Sequence, residues 1–409
     1  MYNIRYNEDI EIDVNCICPI CNKNKNIQVK KKMYKEIHKL KNALNKTKKK
    51  LDLINFTYKN NSIRWESMLD YIMSHMNPYK KEKYKIAYNI KEKYISNAWL
   101  KCFEIIQKYK FFNNMKNIYH FDNASLPGAF ILATKYIIKN YYPNKVYEWK
   151  ASSLYDNKKS HLGDDYNLFK DYPYNWTMSD TNNGDITDTK VINDITSALE
   201  SCNFKTNFYT SDLGFDVSHD YLNQESIHFA ANTGQILTCL KILNTGGICV
   251  IKHFTYFEEY TLYYLSIFSK LFREFKLYKP KTSKMLNSEI YLIGIDFTHK
   301  TILKNQLIKE LEHCLNHNIF RLSKYFKYPN YFIFKILPHV KTHIGIQIQN
   351  LNNVIDITSK IQRYINKYNI HTLDNGFLYD FVLPLIKSNI YKPRIEYIYN
   401  EDVKILAYI

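Results

Sequence analysis

Lys252 closes a run of residues that otherwise has no use for a charge. Thr245 to Phe254 reads TGGICVIKHF: two glycines, then Ile248, Cys249, Val250 and Ile251, then the lysine. An apolar run opened by a glycine pair reads as a fully buried strand of a parallel sheet. Lysine is seldom fully buried unless it is paired. Such a lysine either snorkels from the strand end into water, or faces a ligand at the carboxyl edge of the sheet, where open α/β sheets bind ligands. Other residues of the same promise lie along the chain. Asp212 ends the strand-like TNFYTSD (206–212) just before a glycine turn, and Glu289 lies in the loop between two further strand-like segments. Lys101, inside ISNAWLKCFEII, is alone an ordinary surface lysine. NASLPGAF (123–130) is a Pro-Gly-small turn between a strand and a helix, a shape that lets a ligand approach the backbone. It is neither GxGxxG nor a Walker loop. Cys18-Pro-Ile-Cys21, with Cys16 just before it, has zinc-knuckle spacing, but a structural zinc takes four ligands and no second CxxC follows. Reduced, idle cysteines are the plain alternative. His313 and His317, four apart around Cys314, read as an exposed helix face rather than as a metal pair.

Elements must bring these residues together. Residues 28–56 predict a basic helix, with Ile37, Leu40, Leu44, Leu51 and Ile54 at helical spacing between lysines. That helix is either a solvated one with a single packing stripe or a phosphate-contacting arm. Pro78 and the lysines after it mark a boundary. A second helix is expected over 82–112, then a strand (117–122), the turn, and a helix from Ile131. VYEWKAS (146–152) is the next strand. A polar stretch follows, reaching TNNGDITD (181–188), and then a helix at 189–201, a strand at 206–216, a helix at 226–244 and the Lys252 strand. A helix at 260–275 and two strands at 275–297 complete the series. The alternation of strand and helix argues for a mostly parallel, doubly wound sheet with helices on both faces. It places Lys101, Asp212 and Lys252 at element ends or faces that can meet on one side. After about residue 300 the pattern is helical and less regular.

The chain therefore divides into a basic helical N-terminal extension with the cysteine cluster (1–80), an α/β domain (81–300) and a mostly helical C-terminal extension (301–409). At 409 residues it is long enough for this. No stretch of about 18 apolar residues suggests a transmembrane span, and the start, MYNIRYNEDIEIDV, lacks the apolar core of a signal peptide. A soluble intracellular protein, cytoplasmic, nuclear or of a virion, is expected, with no membrane partner. Lysine and arginine number 57 against 39 acidic residues. That excess points to a polyanionic partner, nucleic acid first. The abundance of Asn, Lys, Ile and Tyr also fits an AT-rich genome, so charge alone does not decide it.

Six segments in order, ISNAWLKCFEII, SLPGAF, NNGDIT, TSDLGFD, TGGICVIKHF with FTYFEEY, and KPKTSKMLNSEIY, resemble the FtsJ-type RNA ribose 2′-O-methyltransferases. More narrowly, they resemble the adrift-type, cap-specific mRNA branch. The resemblance spans roughly residues 85 to 297 and leaves both ends of the chain outside it. It implies a Rossmann-like sheet binding S-adenosylmethionine, capped mRNA as the partner, and a Lys-Asp-Lys-Glu catalytic set at Lys101, Asp212, Lys252 and Glu289. It also implies that Ala124, Ser125, Pro127, Gly128, Ala129 and Phe130 line the methionine end of the cofactor. Asp185 and Ile186 flank its adenine, and Trp149 and Ser152 form the far wall. Leu126 departs from the family, where Ala or Gly precedes the Pro-Gly, and a leucine there could crowd the cofactor.

Methyl transfer to a ribose hydroxyl is an in-line displacement at carbon, so the protein has to supply alignment and deprotonation. A lysine of ordinary pKa, about 10.4, is no base at neutral pH. A second cation and partial burial push it down. Lys252 is the expected general base, Lys101 the cation, Asp212 the group holding both ammonium groups in register, and Glu289 an anchor for Lys101 or the ribose. Two other readings stand beside this one: methylation of ribosomal or transfer RNA, and a catalytically silent RNA-binding subunit. NNGDIT and KPKTS followed by NSE favour the cap branch; the intact Lys, Asp, Lys and Glu argue against a silent copy.

Overall fold

The computed structural model describes residues 11–13, 27–52, 72, 75, 79–155, 163–179, 182–284, 286–298, 300–320, 330–368 and 378–390. Cys16, Cys18 and Cys21 lie outside the described residues. In chain order the elements are β1 (Glu11–Asp13), α1 (Ile27–Asp52), α2 (Tyr79–Ile90), α3 (Asn97–Tyr109), β2 (Asn117–Asn123), α4 (Ala129–Tyr141), β3 (Val146–Ser152) and α5 (Thr189–Ser201). Then come β4 (Phe208–Ser211), α6 (Phe229–Ile242), β5 (Ile248–Phe254), α7 (Glu259–Phe268), β6 (Phe272–Tyr278), β7 (Glu289–Phe297), α8 (Thr301–His317), α9 (Asn330–Tyr368) and α10 (Leu383–Ile390).

The strands form one seven-stranded sheet in the order β1-β6-β7-β5-β4-β2-β3. β3, β2, β4 and β5 run parallel. β7 is antiparallel to both β5 and β6, and β1 is antiparallel to β6. The doubly wound fold is thus as expected, with one half of the sheet made antiparallel by β7. Strand periodicity then sorts side chains between two cores. Ile248, Val250, Tyr291 and Ile293 pack with α3 and α4 on one face, through Trp99, Phe103, Ile106, Phe130 and Ile137. Cys249, Ile251, Ile290 and Leu292 pack on the other face with α5, α6, α7 and α8. Ile37 and Leu44 of α1 and Ile336, Val340 and Ile344 of α9 join that second core. Both extensions therefore cover one face of the sheet.

Several boundaries differ from the sequence expectation. The helix expected over 82–112 is two helices. Lys91 takes a left-handed backbone (φ 55°) after α2, and Ser96 caps α3 by accepting from Trp99 N at 3.2 Å. The strand expected over 206–216 is only β4. Asn207 satisfies Tyr119 N and Asn117 O with its side chain instead, and the chain leaves the sheet after Ser211. The helix expected to reach residue 275 ends at Phe268, because pairing with β7 draws Phe272 onward into β6. Among the described residues no helix is long and apolar enough to cross a membrane.

Candidate active site

The two faces explain which residues meet. Lys252 follows Ile248 and Val250 in period two, so it points to the α3 face of β5. Glu289 and Tyr291 alternate in the same way on β7, where Lys252 pairs with Tyr291 and Phe254 with Glu289. α3 crosses that face and delivers Lys101. Asp212 is the first residue past β4, at the carboxyl edge. The result is a compact cluster: Lys101 Nζ lies 3.3 Å from Glu289 Oε2 and 3.6 Å from Asp212 Oδ1, and Lys252 Nζ lies 3.3 Å from Asp212 Oδ1. Lys252 also donates to the carbonyl of Asp212 at 2.8 Å. Lys101, Lys252 and Glu289 are each less than a tenth exposed. A Cβ on Gly214 would stand 2.9 Å from Lys252 Nζ, so this turn has to be glycine for the ammonium to sit where it does.

Two lysines and two acidic side chains stand together here, and such pairing is how these groups tolerate burial. Burial alone would push the Lys101 ammonium down, but Asp212 and Glu289 outweigh it and the net shift is upward. Glu289 is opposed by burial as well, yet Lys101, Lys252 and Lys279 hold its carboxyl far below the usual carboxylate range. Lys101 is therefore a fixed cation and Glu289 a fixed anion.

A second layer holds the cluster. Tyr291 donates to Asp212 Oδ1 at 2.6 Å, and Ser283 donates to Glu289 Oε1. Lys279 ties the KPKTS loop together through Asn287 Oδ1 at 2.8 Å and the Glu289 carbonyl at 3.0 Å. Glu104 accepts from the backbone N–H of Lys281 and Thr282, from the Thr282 hydroxyl at 2.7 Å and from the Tyr278 hydroxyl. The sequence reading missed all of these. Their signal was present: Glu104 stands three residues from Lys101, hence on the same helix face, and Tyr291 two residues from Glu289, hence on the same strand face. It also missed Phe215 and His228. Phe215 is 48% exposed, and its ring stacks on His228 at 4.1 Å; His228 in turn lies against Phe254, over which Lys252 sits.

The strand–turn–helix unit lies at the same edge. Ala124 adopts a left-handed backbone (φ 51°) and Gly128 one at φ 103°, after which α4 begins at Ala129. Ala124 and Pro127 are half-buried; Ser125, Gly128, Ala129 and Phe130 are buried. Ser125 N donates to Ser152 O at 3.1 Å, which fastens the turn to the end of β3. Phe130 stacks on Tyr291, linking the turn to the cluster. Beneath the turn, Asp122 accepts from Ser125 at 2.6 Å and from Thr210, and Thr210 meets His120 Nε2 at 2.6 Å. Burial pushes the Asp122 carboxyl up to about 7, against the hydrogen bonds from Ser125 and Thr210.

NNGDIT reaches the same edge. Gly184 (φ 73°) lies so close to the β3 end that a Cβ would stand 1.9 Å from Ser153 O. Asp185 is half-buried and its Oδ1 accepts from the Thr187 N–H and hydroxyl; the side chain of Ile186 is buried in the core. Trp149 lies three residues short of the β3 end, packed with Leu126, Ile131, Leu168 and Trp176. The leucine that departs from the family therefore has an apolar nest of its own. Among the described residues no group of three His, Cys, Asp or Glu is placed for a metal, so His313 and His317 have no third ligand there.

A polar cofactor fits this edge. The hydroxyls of Ser152 and Ser211, at the ends of β3 and β4, and Nδ2 of Asn232 on α6 are buried without partners among the described residues, which calls for a ligand or water to satisfy them.

Residues 94–297 match the FtsJ-like methyltransferase family, and the chain carries a domain of that family. It is 32% identical over 273 residues to a probable methyltransferase of African swine fever virus, covering 64% of this chain and 63% of that protein. An uncharacterized protein of Acanthamoeba polyphaga mimivirus is 32% identical over 232 residues, 55% of this chain and 29% of that one. Cap-specific mRNA (nucleoside-2′-O-)-methyltransferase 2 of Danio rerio is 27% identical over 225 residues, 52% of this chain and 30% of that one. The chain thus spans less than two thirds of each of these relatives.

Proposed function

We propose that this protein is an S-adenosylmethionine-dependent RNA methyltransferase acting on the ribose 2′-hydroxyl of the first or second transcribed nucleotide of capped mRNA. One observation carries the reading: Glu289, Lys101, Asp212 and Lys252, far apart in sequence, are linked in that order by ion pairs of 3.3 to 3.6 Å at the carboxyl edge of the sheet. The cofactor would be held by the 124–130 turn and the Asp185 loop, with Ser152, Ser211 and Asn232 as further polar partners. When bound, it would supply an electrophilic methyl group on a sulfonium, whose sulfur leaves as a neutral thioether without acid catalysis.

The chain's own residues then divide the work. Lys252 takes the proton of the 2′-hydroxyl on Nζ. Lys101 cannot do so, because Asp212 and Glu289 clamp it as a cation. It stands as the fixed positive charge on the other side of Asp212 from Lys252. Asp212, bridging both lysines and held by Tyr291, keeps Lys252 aimed. The exposed ring of Phe215 offers a stacking face for a base of the strand, the way single-stranded RNA is recognised.

The test is transfer of tritiated methyl to capped RNAs differing only in methylation of nucleotides one and two. Incorporation into the 2′-position of one of them is expected. Well-folded protein that binds the cofactor yet labels none of these RNAs, while labelling ribosomal or transfer RNA, would move the substrate elsewhere; no labelling of any RNA would favour a silent subunit.

A further inference from the structure

One half-buried cation near the cluster is left unused by this chemistry, and it belongs to the N-terminal extension. Lys48 of α1 reaches over the sheet edge, with Nζ 3.3 Å from Ser288 Oγ and 5.9 Å from the centre of the Tyr221 ring. Ser288 immediately precedes Glu289, and its carbonyl accepts from Thr255 N, the residue after β5, at 3.2 Å. Lys48 therefore stands on the rim one residue along from the catalytic set. No carboxylate among the described residues pairs with it, and burial pushes its ammonium down to about 8. Ser288 offers it one long, uncharged hydrogen bond, on a hydroxyl that also accepts from Gln347 Nε2 of α9 at 2.9 Å.

The neighbouring charges are all engaged. Lys41 pairs with Glu258. The carboxylate of Glu225 accepts from the N–H groups of Phe257 and Glu258 and from the Thr255 hydroxyl at 2.7 Å. An ammonium partly withdrawn from water without a counter-ion is costly, and an anion from outside relieves that cost. The cleft it shares with Tyr221 and Ser288 has a free volume of about 10 Å³, the room of one water. It admits a single oxygen atom, not a whole phosphate group.

We propose that Lys48, beside Ser288, takes one non-bridging oxygen of a backbone phosphate of the RNA strand, so that α1 forms part of the substrate wall although it lies outside the matched domain. This rests on the RNA reading above. The test is a titration of a fluorescent single-stranded oligoribonucleotide by anisotropy, across a salt series, on the full chain with S-adenosylhomocysteine present. Each phosphate contact on a single strand adds about 0.7 to the slope of log affinity against log salt. Lys48→Ala should lower the slope by about that amount, while Lys139→Ala, at the far end of α4, should leave it alone. Wild-type affinity should fall as pH rises past about 8. Lys48→Arg should hold its affinity there, since guanidinium stays charged. A folded Lys48→Ala variant with the wild-type slope overturns the proposal. RNA bound with the expected slopes but never methylated leaves Lys48 in place and sinks the enzymatic reading instead; no RNA binding by the wild type sinks both.

Discussion

Lys252 and Lys101 are the same residue type a few ångströms from one aspartate, yet their surroundings set them apart. Lys101 contacts two carboxylates, whereas Lys252 contacts one carboxylate and a backbone carbonyl. Lys252→Ala should cut methyl transfer by about 10²–10⁴-fold while the affinity for S-adenosylhomocysteine stays near wild type. Lys252→Arg should be as inactive, because a guanidinium cannot accept the proton. Wild-type turnover in the arginine variant would reduce Lys252 to a positive charge near the site. Asp122 supports a prediction about pH. Its folded value is about 7 against an ordinary 3.8, so between these the folded protein holds a proton that the unfolded chain has released. The stability contributed is therefore complete below about 3.8 and is lost as pH rises through about 7. Urea unfolding of Asp122→Asn should lack this loss. From pH 5 to 8 the wild type should fall by about 3 kcal/mol more than the variant. Parallel pH profiles for the two would show that Asp122 does not titrate there.

At the scale of elements, the sheet edge alone does not place Glu289. The loop between β6 and β7 does, and Glu104 on α3 gathers that loop by accepting four hydrogen bonds from it and from Tyr278. The same helix carries Lys101 one turn earlier, so one element sets both ends of the Lys101–Glu289 contact. Glu104→Ala should lower the rate of methyl transfer tenfold or more, by about the 1.5–3 kcal/mol typical of a hydrogen bond to a charged group, with little change in cofactor affinity. Calorimetry with S-adenosylhomocysteine set against turnover makes the comparison. If both drop together, Glu104 serves the fold in general rather than the loop.

At the scale of the molecule, α1 and α9 pack on each other and on the sheet's second face, far from the matched segment in sequence. Leu44 and Ile344 are fully buried there. Leu44→Ala and Ile344→Ala should each destabilise the protein by about 2–5 kcal/mol, measured as a fall in the urea midpoint with unchanged slope. A chain in which neither matters would have extensions that merely rest on the domain.

The apolar run before Lys252 was enough to foresee a buried central strand, since a strand covered on both faces can only be written with residues like Ile248 to Ile251. The strand–helix alternation likewise gave the doubly wound class, and the ordered segments from NAWLK to NSEIY named the four residues that meet at the edge. Spacing along the chain could not tell that β7 runs antiparallel between β5 and β6, because strand direction is settled by pairing partners rather than by local propensity. Nor could it show that Glu104, Tyr291 and Ser283 hold the cluster, or that Lys48 of a remote helix ends beside Ser288. Those contacts span up to 240 residues. They exist only because two hydrophobic faces of one sheet had to be covered, and the helices that covered them brought their polar side chains to its edge.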